Sequence, residues 1–140
     1  MAAWQFQCNI IPFRKNFDKL SHDEMISWYG IAQPIMDIGF LEQKESWSTD
    51  IVQYGNIEET CIEFFYDQDV LEEILCRLDL RTLTKHLFTQ ILEYVQYIEA
   101  YFLVDDKIYP PESECMIAVM KQSKANLFCK NPYAYLNAVE

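Results

Sequence analysis

Residues 50–81, DIVQYGNIEETCIEFFYDQDVLEEILCRLDLR, hold three short apolar runs cut by two turns and loaded with acid. Residues 51–54 form the first run, and Gly55-Asn56 tolerates the positive φ at which a chain reverses. In residues 61–66, Ile62, Phe64 and Tyr66 alternate with Cys61, Glu63 and Phe65, the period of a strand. One face is fully apolar; the other carries a charge and is expected to be partly solvated. Asp67-Gln68-Asp69 is a polar turn, after which Ile74, Cys76, Leu78 and Leu80 alternate with Glu73, Leu75, Arg77, Asp79 and Arg81. Two amphipathic strands joined by a tight acidic turn make a hairpin. A hairpin needs further strands or a helix on its apolar face to persist in water.

The flanking sequence supplies those elements. Trp4, Phe6, Cys8 and Ile10 alternate with Gln5, Gln7 and Asn9, giving an opening strand that ends at Pro12. Ser21-His22-Asp23-Glu24 is a capping box, so a helix starts there, carries Met25, Ile26, Trp28 and Tyr29, and stops at Gly30. Residues 31–49, broken by Pro34 and Gly39, read as a long connection with at most a turn of helix. Thr84 caps the best helix of the chain, with Leu87, Phe88, Ile91, Leu92, Val95 and Ile98 on one stripe and Lys85, Thr89, Glu93 and Gln96 outside. A strand over 101–104 turns at Asp105-Asp106 and continues over 107–109. Pro110-Pro111 then precedes a helix over 112–123 with Met116, Ile117, Val119 and Met120 inward. Asn131-Pro132 opens a last short helix through Tyr133, Tyr135, Leu136 and Val139. The expected fold is a single α+β domain over 1–140: a mostly antiparallel sheet of about five strands, packed with about four helices on one side.

At 140 residues, 51% hydrophobic and 15% aromatic, the chain can bury a core without disulfides or metals. The net charge of −11 is concentrated. Between Asp37 and Glu73 eleven acids face one base, Lys44, whereas the rest of the chain is nearly balanced. Such a field repels phosphate backbones and anionic lipid, which argues against nucleic-acid or membrane-surface binding, and it favours a basic protein partner. The plainer reading is an acidic surface that keeps the protein soluble. Arg14, Lys15 and Lys19 beside Phe13 and Phe17 form a short basic cluster, expected to pair with the acidic region within the chain or across a subunit contact. Trp47 is expected to plug the core, the alternative being an exposed anchor.

Few residues are spaced for catalytic chemistry. Two histidines, His22 and His86, lack metal or triad spacing, and each reads as a surface residue. Five scattered cysteines contain no CxxC pair, and Cys61 and Cys76 fall inside strands as small apolar residues. Asp67-x-Asp69 lacks the glycine and terminal glutamate of a calcium loop. The acid pairs Glu58-Glu59, Glu72-Glu73 and Asp105-Asp106 are chain neighbours, which strands point to opposite faces. No catalytic residue, metal site or cofactor is expected. No leader pattern or span-length apolar run appears, so a cytoplasmic location is expected.

The early aromatic strand Trp4-Gln5-Phe6, the pair Ser46-Trp47 leading into strands, the hairpin end Arg77-Leu78-Asp79-Leu80-Arg81 and the close Ser123-x-Ala125-x-x-Phe128-x-x-Asn131-Pro132 resemble a group of uncharacterised bacterial proteins. That group is similar to immunity proteins of polymorphic toxin systems. The resemblance implies a small acidic binding protein that neutralises a basic toxin such as a nuclease, and it carries no functional residue across. From the residues themselves the partner-binding edge is expected at Glu58, Glu59, Asp67, Asp69, Glu72 and Glu73, with Trp47 or Tyr54 as apolar anchors. The competing expectation is a small enzyme or ligand-binding domain with a pocket between sheet and helices. A homodimer through the face of Phe65 and Leu75 is compatible with either.

Overall fold

A computed structural model describes residues 2–32 and 38–130. The chain runs β1 (Gln5–Pro12), α1 (His22–Ile26), β2 (Gln43–Lys44), β3 (Ile51–Tyr54), β4 (Cys61–Asp67), β5 (Val70–Asp79), α2 (Lys85–Tyr97), β6 (Ala100–Val104), β7 (Lys107–Tyr109), α3 (Ser113–Lys121) and α4 (Lys124–Lys130), with a 3₁₀ turn at Phe17–Lys19. The strands form one antiparallel sheet in the order β2-β3-β4-β5-β1-β6-β7. The α+β class is as expected, but seven strands exceed the expected five or so. The added β2 is only two residues long and exists because the edge of β3 offers it partners, Gln43 opposite Tyr54 and Lys44 opposite Gln53.

The meander turns where its polar residues allow. Gln68 and Asp69, at φ 50° and 64°, close the β4–β5 hairpin, and Asp105 and Asp106, at φ 47° and 67°, close β6–β7. Two consecutive left-handed residues match the twist of an antiparallel pair, and aspartate tolerates that region better than most residues. β5 carries one extra residue: Phe65 lies opposite Glu73 while Tyr66 lies opposite Leu71. The resulting bulge at Glu72 lets Leu71 and Ile74 both enter the main core, which strict alternation would forbid. Gly55 has φ +85°, and a Cβ there would lie 2.2 Å from the Thr60 carbonyl oxygen. Gly55→Ala is therefore expected to destabilise by about 2 kcal/mol, from left-handed strain plus the clash. Urea unfolding checks it, and an unchanged midpoint would mean that the 55–60 loop is not held in this form.

One face of the sheet carries the main core. Phe6, Cys8 and Ile10 of β1, Ile62 and Phe64 of β4, Ile74, Cys76 and Leu78 of β5 and Phe102 of β6 meet Phe88, Ile91, Leu92 and Val95 of α2, Met116 and Met120 of α3 and Ala125 of α4. Thr84 caps α2, accepting from the Leu87 amide, and Lys85, Thr89, Glu93 and Gln96 are exposed as expected. Ile117 of α3 is not inward as expected but lies at the surface, because Met116 and Met120 alone occupy its buried stripe. The final helix expected from Asn131 lies outside the described residues. Before it, α4, which the sequence reading did not include, starts at Lys124, where Ser123 Oγ accepts from the Asn126 amide.

The helices do not all lie on one side. Ile11 and Leu103, on the face opposite Ile10 and Phe102, pack with Met25 of α1 and, around them, Phe17, Leu20 and Ile26. The Ser21–Glu24 capping box fixes the start of α1, which ends at Ile26 rather than near Gly30. The chain then crosses from one face to the other: the Trp28 amide donates to the Glu72 carbonyl, and the Trp28 indole, buried in the main core, donates to the Ile10 carbonyl at 2.9 Å.

Candidate functional site

Strand register sorts the acidic residues into two groups. Ile51 is opposite Phe65 and Tyr54 opposite Ile62, so the 46–50 loop lies beside the β4–β5 turn, and the 55–60 loop lies at the other end of the sheet. Asp67, Asp69, Glu72 and Glu73 share the first end with Asp50, whose carbonyl accepts from the Tyr66 amide at 2.8 Å. Glu58 and Glu59 occupy the second end, separated from the first by β4, a length of about 20 Å. The expected single acidic edge is thus two clusters. Asp50, Asp67, Asp69, Glu58 and Glu59 are exposed, whereas Glu72 and Glu73 are half-buried at the bulge. No lysine or arginine occurs between Lys44 and Arg77, so neither cluster has a cation within its own stretch of chain.

Trp47 overturns the expectation of a core plug: it is 73% exposed. Its loop is nonetheless closely tied. Ser46 Oγ donates to the carbonyls of Ser48 and of Ile51, the latter at 2.7 Å, and accepts from the Ser48 amide. Ser48 Oγ accepts from the Asp50 amide at 3.2 Å, and the Ile51 amide donates back to the Ser48 carbonyl. The two serine hydroxyls hold the backbone on both sides of the indole, so an exposed aromatic stands on a fixed base next to Asp50 and the Asp67–Asp69 turn. Tyr54 lies at the other end, half-buried against the main core with its ring edge-on to Phe64 at 5.9 Å. The structure therefore brings Trp47 together with Asp67 and Asp69, and Tyr54 with neither.

The Glu58–Glu59 loop is fixed from β1. Trp4 Nε1 donates to the Glu58 carbonyl at 2.8 Å, and Gln5 Nε2 donates to the carbonyls of Ile57 and Glu59. Arg81 lies over the Trp4 ring at 3.8 Å and forms a bidentate pair with buried Asp79 at 3.0 Å. Burial alone would raise the Asp79 carboxyl, but hydrogen bonds from the Arg81 side chain and amide, with the Arg81 charge, hold it below the usual aspartate range. These groups anchor that end of the sheet, and the Asp79 carboxylate is held inside it.

Glu63 departs most from its expected setting. It is 1% exposed rather than partly solvated, and it pairs diagonally with Arg77, two residues along β5 from Leu75, which lies directly opposite it. Leu75 is buried on that same face, which leaves half-buried Phe65 as what remains of the expected self-association patch. Arg14, expected to meet the acidic region, donates to the Ser27 carbonyl at 2.8 Å. Among the described residues the ion pairs of lysine and arginine are Lys44–Glu42, Arg77–Glu63 and Arg81–Asp79, so Arg14, Lys15 and Lys19 form none.

The remaining chemistry is quiet. His22 and His86 are both exposed, and no metal-holding group of side chains occurs among the described residues. Cys8 and Cys76 face each other across β1 and β5 in the dry core, where the hydrogen bond between them and burial raise the Cys76 thiol; burial with the Glu63 charge pushes Cys61 up to about 12. Thiols shifted that way are poor nucleophiles at neutral pH. The interior is filled by Phe64, Phe102, Ile62, Ile74, Ile91 and Met116, and no described helix is long and apolar enough to cross a membrane. Two grooves mark the surface, one of about 510 Å³ near Phe13 and Pro110 and one of about 490 Å³ between β6–β7 and α3. The chain matches no protein-family model, no curated protein and no solved structure.

Proposed function

We propose that the chain is a non-enzymatic binding domain of the immunity type, which neutralises a basic protein such as a nuclease toxin. The observation that carries this reading is Trp47, an exposed indole on a serine-locked loop at the same end of the sheet as Asp50, Asp67 and Asp69. An aromatic anchor held in place before binding loses little conformational freedom in the complex. The surrounding carboxylates draw in a cationic surface and occupy positions that nucleic-acid phosphates would otherwise take. Glu58 and Glu59, about 20 Å away along β4, act at most as a distant rim.

Affinity capture from native cells in low and high salt, followed by binding assays with the captured protein, tests the proposal. A basic partner released by salt is expected. Asp67→Asn with Asp69→Asn should weaken it about tenfold and flatten its salt dependence, since two carboxylates leave the contact; asparagine accepts the left-handed backbone at 69. Glu58→Gln with Glu59→Gln should change affinity less than twofold. Equal losses from both pairs would place binding elsewhere. The reading as a small enzyme or ligand-binding domain is favoured by one feature, the groove between β6–β7 and α3 lined by Phe6, Val104, Lys107, Tyr109, Cys115 and Val119. It gains ground if capture recovers only the protein itself.

A further inference from the structure

The hairpin tip that carries Trp47 stops pairing before its register requires. β2 and β3 set Gln43 opposite Tyr54 and Lys44 opposite Gln53, and the ladder runs on behind β2, where the Gly55 amide donates to the Glu42 carbonyl at 2.7 Å. Bonded pairs alternate along an antiparallel ladder, so after Glu42–Gly55 and Lys44–Gln53 the next is Ser46–Ile51. That pair is missing, because β2 ends at Lys44. The Ile51 amide donates instead to the Ser48 carbonyl at 3.3 Å, and the Ile51 carbonyl accepts from Ser46 Oγ at 2.7 Å. Ser46 Oγ also donates to the Ser48 carbonyl and accepts from the Ser48 amide at 3.3 Å. The Ser46 amide itself has no acceptor among the described residues. Both backbone groups of Ile51 that face Ser46 are thus taken by a side chain and by the loop.

We infer that Ser46 is a positioning residue, whose hydroxyl holds the β2–β3 hairpin two residues short of the pairing its register allows and so sets the stance of Trp47. The competing form is fully zipped. In it Ser46 pairs with Ile51 through the backbone, and residues 47–50 become a hairpin loop of common length. The exchange trades side-chain hydrogen bonds for backbone ones of similar worth, so one hydroxyl is enough to decide it. A β-branched residue at 46 that lacks the hydroxyl favours the zipped form in two ways: it leaves the Ile51 carbonyl to the amide of residue 46, and its bulk suits a strand position directly opposite Ile51. The effect on binding rests on the reading of Trp47 as a partner's anchor, whereas the form of the tip does not.

Ser46→Val and Ser46→Thr put residues of the same shape at this position, one with a methyl where the other has the hydroxyl. Amide hydrogen exchange of the full chain at residue 46, relative to an unstructured peptide of the same sequence, tells the two forms apart. The parent and the Thr variant should show no protection there, and the Val variant protection of about tenfold or more, with a shift of the Trp47 indole N–H resonance. The inference is overturned if residue 46 stays unprotected in a Val variant whose remaining amides match the parent, or if the Thr variant becomes protected to the same extent. Affinity for the captured basic partner is read separately. The Val variant should bind about tenfold more weakly and the Thr variant within about twofold of the parent, because a tip set in another form must rearrange on binding. A zipped tip with unchanged affinity upholds the role of the hydroxyl and removes Trp47 from the contact.

Discussion

Arg77→Met is expected to lower the unfolding free energy by about 3–5 kcal/mol, because it strands the Glu63 carboxylate in a site only 1% exposed. Glu63→Leu should cost a similar amount by leaving the Arg77 guanidinium, itself mostly buried, without its partner. The double variant, Glu63→Leu with Arg77→Met, should return to within about 1 kcal/mol of the parent. The reason is desolvation. Two charges leave water on folding, and Glu63 Oε2 and Arg77 Nε have no hydrogen-bond partner among the described residues, so the attraction between them offsets that cost incompletely. Buried Leu75 and Cys61, directly opposite Glu63 and Arg77, already make the surroundings apolar. Urea denaturation of the three variants measures the coupling. If Arg77→Met alone costs under 1 kcal/mol, water reaches the pair and its burial is not real.

Trp47→Ala should act on the complex and leave the fold alone. Truncating a fixed, exposed indole at the centre of a binding patch removes about 2–4 kcal/mol of affinity, a loss of roughly 30- to 1000-fold. The same change should move stability by less than about 0.5 kcal/mol, since a residue 73% exposed contributes little to the core. Calorimetric titration with the captured partner, beside urea unfolding of the free protein, separates the two. An unaltered dissociation constant would remove Trp47 from the interface and the present functional reading with it. A large loss of stability would instead mean that the indole supports the 46–50 loop.

The alternations of β1, β4 and β5 and the cap of α2 were legible because each rests on neighbours a few residues apart. What escaped depends on distant ones. Glu63 looked half solvated because its alternation shows which face it takes, not that Arg77, fourteen positions later, closes over it. β2 has no pattern of its own; two residues become a strand only because β3 is there to pair with them. Amphipathic spacing in α1 gave it a buried side but not which face of the sheet it would cover, and Ile11 with Leu103 decided that. Trp47 reads as core because hydrophobic bulk is usually buried, whereas Ser46 and Ser48 around it are the local signal of a tied, outward loop. The start of α4 has a cap in Ser123, which the sequence reading takes only as the end of the preceding helix. The acidic run read as one edge along the chain, and only strand register divides it between the two ends of the sheet.

The place of β1 between β5 and β6 also bears on how the molecule assembles. β1 precedes every other strand of the sheet along the chain yet needs partners made much later: Ile10 finds Ile74 on one side and Phe102 on the other. Contacts so distant along the chain close slowly, because the loop entropy is lost before the contacts compensate for it. Until residues near 100 have emerged, the edge of β1 over residues 9–12 stays unpaired. The ribosome-bound intermediate is therefore the form most exposed to wrong pairing, and the β3–β4–β5 meander, local in sequence, is the part able to organise before it.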